Sequence, residues 1–394
     1  MHEVPTPPRI PPPAEELRLY YLDSARVICM LMGIPYHAAH IYESKKDWWI
    51  HSSTNSWMFD LMISLSNSFR MTAFFIVSGL LSALIIEKKG LKIWGKSRAL
   101  RLGVPLLTAL ATIQLFQMEM ISEYESRKEF WDFWAAYYER EDQFNIFHLW
   151  FLPSLIVLSA LLGLVVWKWG TGIFQSCHRY RDILIGVTAL NLLIYLAART
   201  IPALLHIEME ALWGIVDFKK ALYYVIPFFI GAKLYWDARF RADFVRLNGW
   251  TLAIGTIAYL VFTVTQHEQA FIGKAVRDIA QPIAAICLSQ TLIALCFRFL
   301  SEPNFLTRHL SDATYSIYLF HHPVVMILGI AFLGTATNIY LEYAIIVFVA
   351  FGLPYLLHRW VIARSQTLSF LFNGHQERPG LHRIRTISPG QTAG

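Results

Sequence analysis

Charge is scarce in this sequence. Lys, Arg, Asp and Glu make up 16% of its 394 residues, against 55% hydrophobic ones, a balance that excludes an ordinary water-soluble domain and fits a chain embedded in lipid. Cysteine is nearly absent: Cys29, Cys287 and Cys296 fall in apolar stretches and Cys177 in a basic segment, so no pair is placed for an external disulfide. No basic patch is interleaved with aromatic residues. The net charge of +6 therefore points to topology and anionic lipid, with no nucleic-acid partner. The histidines are scattered, without His-Glu or Cys pairs at ligand spacing, so no metal site is evident. The chain also lacks the internal repeat that many transporters carry.

What it has in abundance is apolar length. Stretches able to cross a bilayer, roughly 17 to 25 residues each, recur at 20–42, 57–86, 99–118, 146–167, 182–200, 218–236, 250–266, 277–299, 313–333 and 339–362. This predicts an all-α polytopic integral membrane protein of about ten transmembrane helices. The second stretch is overlong and the seventh is the weakest. With the N-terminus inside, the cytoplasmic segments hold more than twice as many Lys and Arg as the outer loops, so both termini are expected in the cytoplasm. The stretch from Glu119 to Asp142 is acidic and rich in Trp and Tyr, as suits an outer surface. A Pro-rich tail over 1–18 and a basic tail over 364–394 are expected to be disordered and to flank a membrane domain at 19–363. The first span is read as a retained anchor, since few basic residues precede it and no small-residue cleavage pattern follows.

Within that apolar background a few residues carry chemistry. Arg26 and His37 share the first span. Eleven steps of about 100° bring them to the same helix face, about 16 Å apart, and an ionisable residue at membrane depth marks a functional site by default. The bland alternative pairs Arg26 with Asp23 and leaves His37 to packing. Ser78 and Gly79 form a small pair that lets a helix or ligand approach closely. Arg98 and Arg101 share a face ahead of Pro105 and suit phosphate or lipid headgroups. Arg70 lies deep in the second span with no acidic residue within a turn, so its counter-ion must come from elsewhere. His148 opens the fourth span. Tyr318, His321 and His322 precede Pro323, which weakens the helix and frees backbone groups. For these histidines, interfacial packing competes with function.

The order Leu22-Asp23-x-x-Arg26, His37, Phe74-Phe75-x-x-Ser78-Gly79, Arg98-x-x-Arg101 and Pro105 resembles the ten-helix membrane acyltransferases called acyltransferase-3. Within that family, Tyr21 to Tyr42, Ser68 to Leu80, His148 to Leu152 and Ser316 to Pro323 are most similar to the osmoregulated periplasmic glucan succinyltransferases. Two positions depart from commoner members: Val27 stands where they carry Gly, and Thr72 where they carry an acidic residue. The resemblance implies an enzyme of the bacterial inner membrane that moves an acyl group from a cytoplasmic acyl thioester to a hydroxyl of a periplasmic glycan.

On that reading His37 and Arg26 are the catalytic candidates, with His37 either deprotonating a glucan hydroxyl or carrying the acyl group. Arg26 would neutralise phosphate or brace the helix through Asp23. Ser78, Arg98, Arg101, His148, Tyr318, His321 and His322 are candidate substrate contacts, the two arginines for coenzyme A phosphates. Arg70 is assigned to the free carboxylate of a succinyl group, which needs a fixed cation if it is to be desolvated. The donor would be succinyl-CoA, used as a substrate, with no resident cofactor. Expected partners are acyl-CoA, glucan and membrane lipid. The oligomeric state stays open, a homo-oligomer included. Two other readings keep the membrane class: an O-acetyltransferase of a surface polysaccharide, and a transporter of an anionic intermediate.

Overall fold

The computed structural model describes residues 20–45, 48–126, 146–175, 180–205, 209–211, 215–266, 268 and 270–374. The Pro-rich tail, Cys177, most of the acidic outer stretch and the last twenty residues lie outside them. Helix dominates what is described. In chain order the helices are α1 (Tyr20–Leu31), α2 (Gly33–Ala39), α3 (Trp57–Lys89), α4 (Leu91–Ala109), α5 (Leu115–Ser126), α6 (Phe151–Trp169), α7 (Tyr180–Leu205) and α8 (Phe218–Trp236). They continue with α9 (Ala238–Phe244), α10 (Gly249–Thr265), α11 (Phe271–Phe299), α12 (Thr314–Phe332), α13 (Ile339–Trp360) and α14 (Gln366–Asn373). One antiparallel pair of two-residue strands joins Glu210–Ala211 to Val216–Asp217.

Each of the ten apolar stretches falls on helix. Among the described residues, seven helical segments are long and apolar enough to cross a bilayer, or eight if α9 and α10, bent by 66°, count as one span. The exceptions have physical causes. The first stretch is divided between α1, α2 and a 3-10 turn at His40–Tyr42, because Pro35 has no N–H to return to the carbonyl of Leu31 and Gly33 adds no stiffness. In α8 three lysines interrupt an otherwise apolar helix. The α9–α10 bend is tied to α11 by one side chain: Gln290 donates to the carbonyls of Phe244 (2.7 Å) and Arg246 (2.8 Å) and accepts from Thr251 (2.9 Å).

The centre of the bundle is α3, capped at its start by Ser56 Oγ accepting from Met58 N and ended by Gly90 at φ 79°. It packs against α1, α8 and α11. Its closest neighbour is α8, because both helices carry glycine where they cross. A Cβ on Gly79 would strike the Phe228 carbonyl, and one on Gly231 would strike the Ile76 carbonyl. The small pair singled out in sequence is thus the crossing point of two backbones. Large apolar side chains such as Phe348 and Trp167 project outward and are exposed, as expected of a surface solvated by lipid.

The packed domain extends further than the sequence indicates. The basic tail expected to begin at 364 first forms α14, which packs on α4. Ser365 caps it by accepting from Leu368 N (3.3 Å), Gly374 ends it at φ 63°, and Phe372 meets Phe320 at 5.0 Å. Ser316 on α12 bridges His358 Nδ1 and Asn373 Oδ1, each at 2.8 Å. These apolar and capping residues are sparse enough for the basic composition around them to hide the helix.

Candidate active site

His37, His148, His321 and His322 come from three separate stretches of sequence and converge in space. Ring centroids separate His37 from His322 by 4.8 Å, from His321 by 5.3 Å and from His148 by 6.3 Å. His148 stacks on His322 at 4.6 Å. Pro323 explains part of the assembly. Lacking an N–H, it leaves the Leu319 carbonyl one turn earlier without its helical donor, and His148 Nε2 supplies one at 3.3 Å. Tyr318 returns the contact by donating its hydroxyl to the His148 carbonyl at 2.6 Å.

The turn that presents His148 is strained. Phe147 adopts φ 45°, a left-handed conformation costing a bulky residue about 1–3 kcal/mol. Its ring is held by Trp49 at 4.6 Å and lies 5.8 Å from His322. Trp48 closes the same side, 5.6 Å from His322 and stacked on His40. His40 Nδ1 is 2.9 Å from Glu43 Oε1.

Arg70 stands beside this cluster. It is only 4% exposed, its guanidinium lies 4.7 Å over the Tyr36 ring, and its Nε and Nη1 have no hydrogen-bond partner among the described residues. A Cβ built on Gly33 would be 2.8 Å from Arg70 Nη1 and 3.9 Å from His321 Nε2. The guanidinium and the imidazole therefore approach the same point at the break between α1 and α2. Among the described residues no acidic side chain pairs with it, and burial of an unpaired cation costs several kcal/mol.

The other arginines gather elsewhere. Arg26 donates to Ser311 Oγ at 3.0 Å and lies 3.6 Å from Asp23. Arg98 donates to Ser82 Oγ (2.9 Å), Ser159 Oγ (3.3 Å) and the Ser78 carbonyl (3.5 Å). Arg26, Arg98 and Arg101 lie close enough to repel one another. Arg101 is exposed. The result is a cationic patch at one end of the bundle, with Ser78 beside it and apart from the histidines.

Between patch and cluster lies an apolar cavity lined by Cys29, Met30, Met71, Phe74, Phe151 and Tyr318. The chain order on three elements makes the alignment plain: Arg26, then Cys29 and Met30, then His37; Ser311, Tyr318, His321; and, running back, Ser78, Phe74, Arg70. Arg26 and His37 both meet the segment from Ser311 to His322, so the shared face expected from helical periodicity survives the break at Gly33.

Gln114 and Gln117 escaped the sequence reading, although two amides three residues apart in an apolar span were the available signal. Both are fully buried. Gln117 Nε2 donates to Gln114 Oε1, and Gln117 Oε1 is 2.6 Å from His322 Nδ1. Tyr36, Trp48 and Phe147 were hidden among the aromatic residues expected at any membrane interface. Among the described residues no group of His, Cys, Asp or Glu is arranged to hold a metal ion.

An arginine patch and a buried histidine cluster thus stand on one multi-pass helical bundle. The chain belongs to the acyltransferase-3 family, whose acyltransferase domain matches residues 19–359. It is similar to glucans biosynthesis protein C of Salmonella paratyphi B, 28% identical over 382 residues that cover 93% of this chain and 96% of the relative. The proteins of the same name from Salmonella heidelberg and Salmonella enteritidis match to the same extent. No solved structure matches it.

Proposed function

We propose that the protein is a transmembrane O-succinyltransferase of the bacterial inner membrane, with ten spans and both termini in the cytoplasm. It moves succinyl from cytoplasmic succinyl-CoA to hydroxyls of a periplasmic glucan, forming an ester and releasing coenzyme A. The acceptor class follows from the name of the relatives, glucans biosynthesis protein C. The donor rests on one observation: Arg70, buried and without a hydrogen-bond partner on Nε or Nη1, sits beside the histidine cluster.

Arg26, Arg98 and Arg101 hold the coenzyme A phosphates at the inner mouth, where charge-assisted hydrogen bonds are strong. The pantetheine arm follows the apolar gap past Cys29, Phe74 and Tyr318. That delivers the thioester to His37, whose ring lies 4.8 Å from His322 and 5.3 Å from His321. His37 takes the proton of the glucan hydroxyl or carries the acyl group between donor and acceptor. Arg70 pairs with the distal carboxylate, which would otherwise be buried at a cost of several kcal/mol.

The decisive experiment uses purified protein in vesicles, with labelled succinyl-CoA on one face and neutral glucan on the other. Anionic, succinylated glucan should accumulate on the acceptor face. Acetyl-CoA used as readily as succinyl-CoA would rule out the succinyl assignment and leave an acetyltransferase. Movement of label without ester formation would leave a transporter.

A further inference from the structure

The hydrogen bonds around the cluster determine where its protons are. A carbonyl oxygen can only accept, so a ring nitrogen bonded to one must carry the hydrogen. His321 Nδ1 is 2.6 Å from the Tyr318 carbonyl, so it donates and its Nε2 is bare; that Nε2 is buried and has no partner among the described residues. His148 donates from Nε2 to the Leu319 carbonyl, which leaves a buried, unpartnered Nδ1. His322 is set by Gln117. The amide of Gln117 spends its Nε2–H on Gln114 Oε1 and turns its own carbonyl to His322 Nδ1, which must then be the protonated nitrogen. The bare nitrogen of His322 is Nε2. A π-helical segment at Leu110–Gln114 immediately precedes this arrangement, its extra residue shifting the faces that follow. For His37 alone in the cluster, no hydrogen bond among the described residues selects the protonated nitrogen, and its Nδ1 has no partner among them.

We infer that the cluster is an acceptor-rich site, in which His148, His321 and His322 hold their protons on backbone and amide carbonyls and offer bare nitrogens to adjacent hydroxyls of a sugar. Gln117 is the positioning residue that makes His322 part of it. This rests on the glucan reading above. Hydroxyl groups donate to these nitrogens, and a site rich in unpaired acceptors rejects ligands without donors by leaving its nitrogens unsatisfied. His37, with neither ring nitrogen committed, is the member free to take the proton that the reacting hydroxyl loses.

Two substitutions separate positioning from packing. Gln117→Glu keeps an acceptor facing His322 Nδ1, with Gln114 turning its amide to donate to the new carboxylate. Gln117→Met keeps the volume and removes the acceptor. Turnover and the KM for glucan should suffer roughly tenfold to a hundredfold in Gln117→Met, as for other residues that orient a functional histidine. The KM for succinyl-CoA should stay unchanged, and Gln117→Glu should stay near wild type. A merely structural glutamine predicts the reverse order, because a buried carboxylate is tolerated less well than methionine. Gln117→Glu doing no better than Gln117→Met, or Gln117→Met retaining wild-type kinetics, would overturn the inference. Nitrogen-15 NMR of histidine-labelled wild-type protein decides independently of how the variants fold. His321 and His322 should be protonated on Nδ1 and His148 on Nε2, and His322 protonated on Nε2 would refute the role of Gln117. If the wild type transfers no succinyl to glucan, the functional reading fails, while the ring-proton measurement still answers for the pocket.

Discussion

At the scale of single residues, the proposed function assigns the chemistry to His37 and the selectivity to Arg70. His37→Ala should lower acyl transfer by about 10²- to 10⁴-fold, the usual contribution of a positioned general base. Membrane insertion should be unaffected, because a small apolar replacement raises no barrier to spanning. Near-normal transfer by the inserted variant would remove His37 from the reaction. Arg70→Met should cut succinyl transfer steeply and spare acetyl transfer, since only the succinyl group carries a charge to be left unpaired, a penalty of roughly 3–5 kcal/mol. Comparing both donors on one purified preparation tests this. A parallel fall in the two activities, with a lower melting temperature, would make Arg70 a structural cation held by Tyr36. The strain at Phe147 belongs to this scale too: a φ of 45° is maintained because Trp49 and His322 pin the ring while the next residue, His148, is aimed into the cluster.

At the scale of elements, two features carry the architecture. The α3–α8 crossing depends on Gly79 and Gly231, whose missing side chains let each backbone touch the other. Gly79→Ala drives a methyl group into the Phe228 carbonyl, so the helices must part. A loss of about 1–3 kcal/mol, typical of overpacking, is expected and would register as a lower unfolding midpoint in detergent. Gly95→Ala, where a Cβ would meet nothing, is the matched control and should be neutral or slightly stabilising. The second feature is α14. Truncation after Arg364 removes Asn373 from Ser316 and Phe372 from Phe320, and should lower stability measurably. Truncation after Gly374 should not, and equal stability of the two shortened chains would show that α14 does not contribute to the packed domain.

For the whole molecule, the arrangement is an axis: cationic patch, apolar gap, histidine cluster. On the proposed function, donor binding and bond formation are separated along the bundle. Replacing Arg98 and Arg101 together by Gln should raise the KM for succinyl-CoA far more than it lowers turnover at saturating donor, as for contacts that hold substrate and transition state alike. A fall in turnover with unchanged KM would move these arginines into the chemistry or the fold. Arg98 is also hydrogen-bonded to Ser82 and Ser159, so the unfolding midpoint of the double variant should be recorded beside its kinetics.

The membrane class, the helical stretches and the unusual placement of Arg26 and His37 within an apolar stretch were legible in the sequence, because bilayer thickness and the cost of buried charge impose themselves locally and leave periodic, composition-level marks. Arg70 was legible for the same reason: no acidic residue lay within a turn. The packing of α14 and the crossing at Gly79 depended on contacts between distant segments. Above all, the convergence of His148, His321 and His322 on His37 was decided by tertiary structure. Helical periodicity relates residues a few turns apart on one element, whereas the direction of each imidazole depends on carbonyls that other elements supply, Leu319 for His148 and Gln117 for His322. Which nitrogen holds the proton is a property of that assembled network, and no single stretch of the chain contains it.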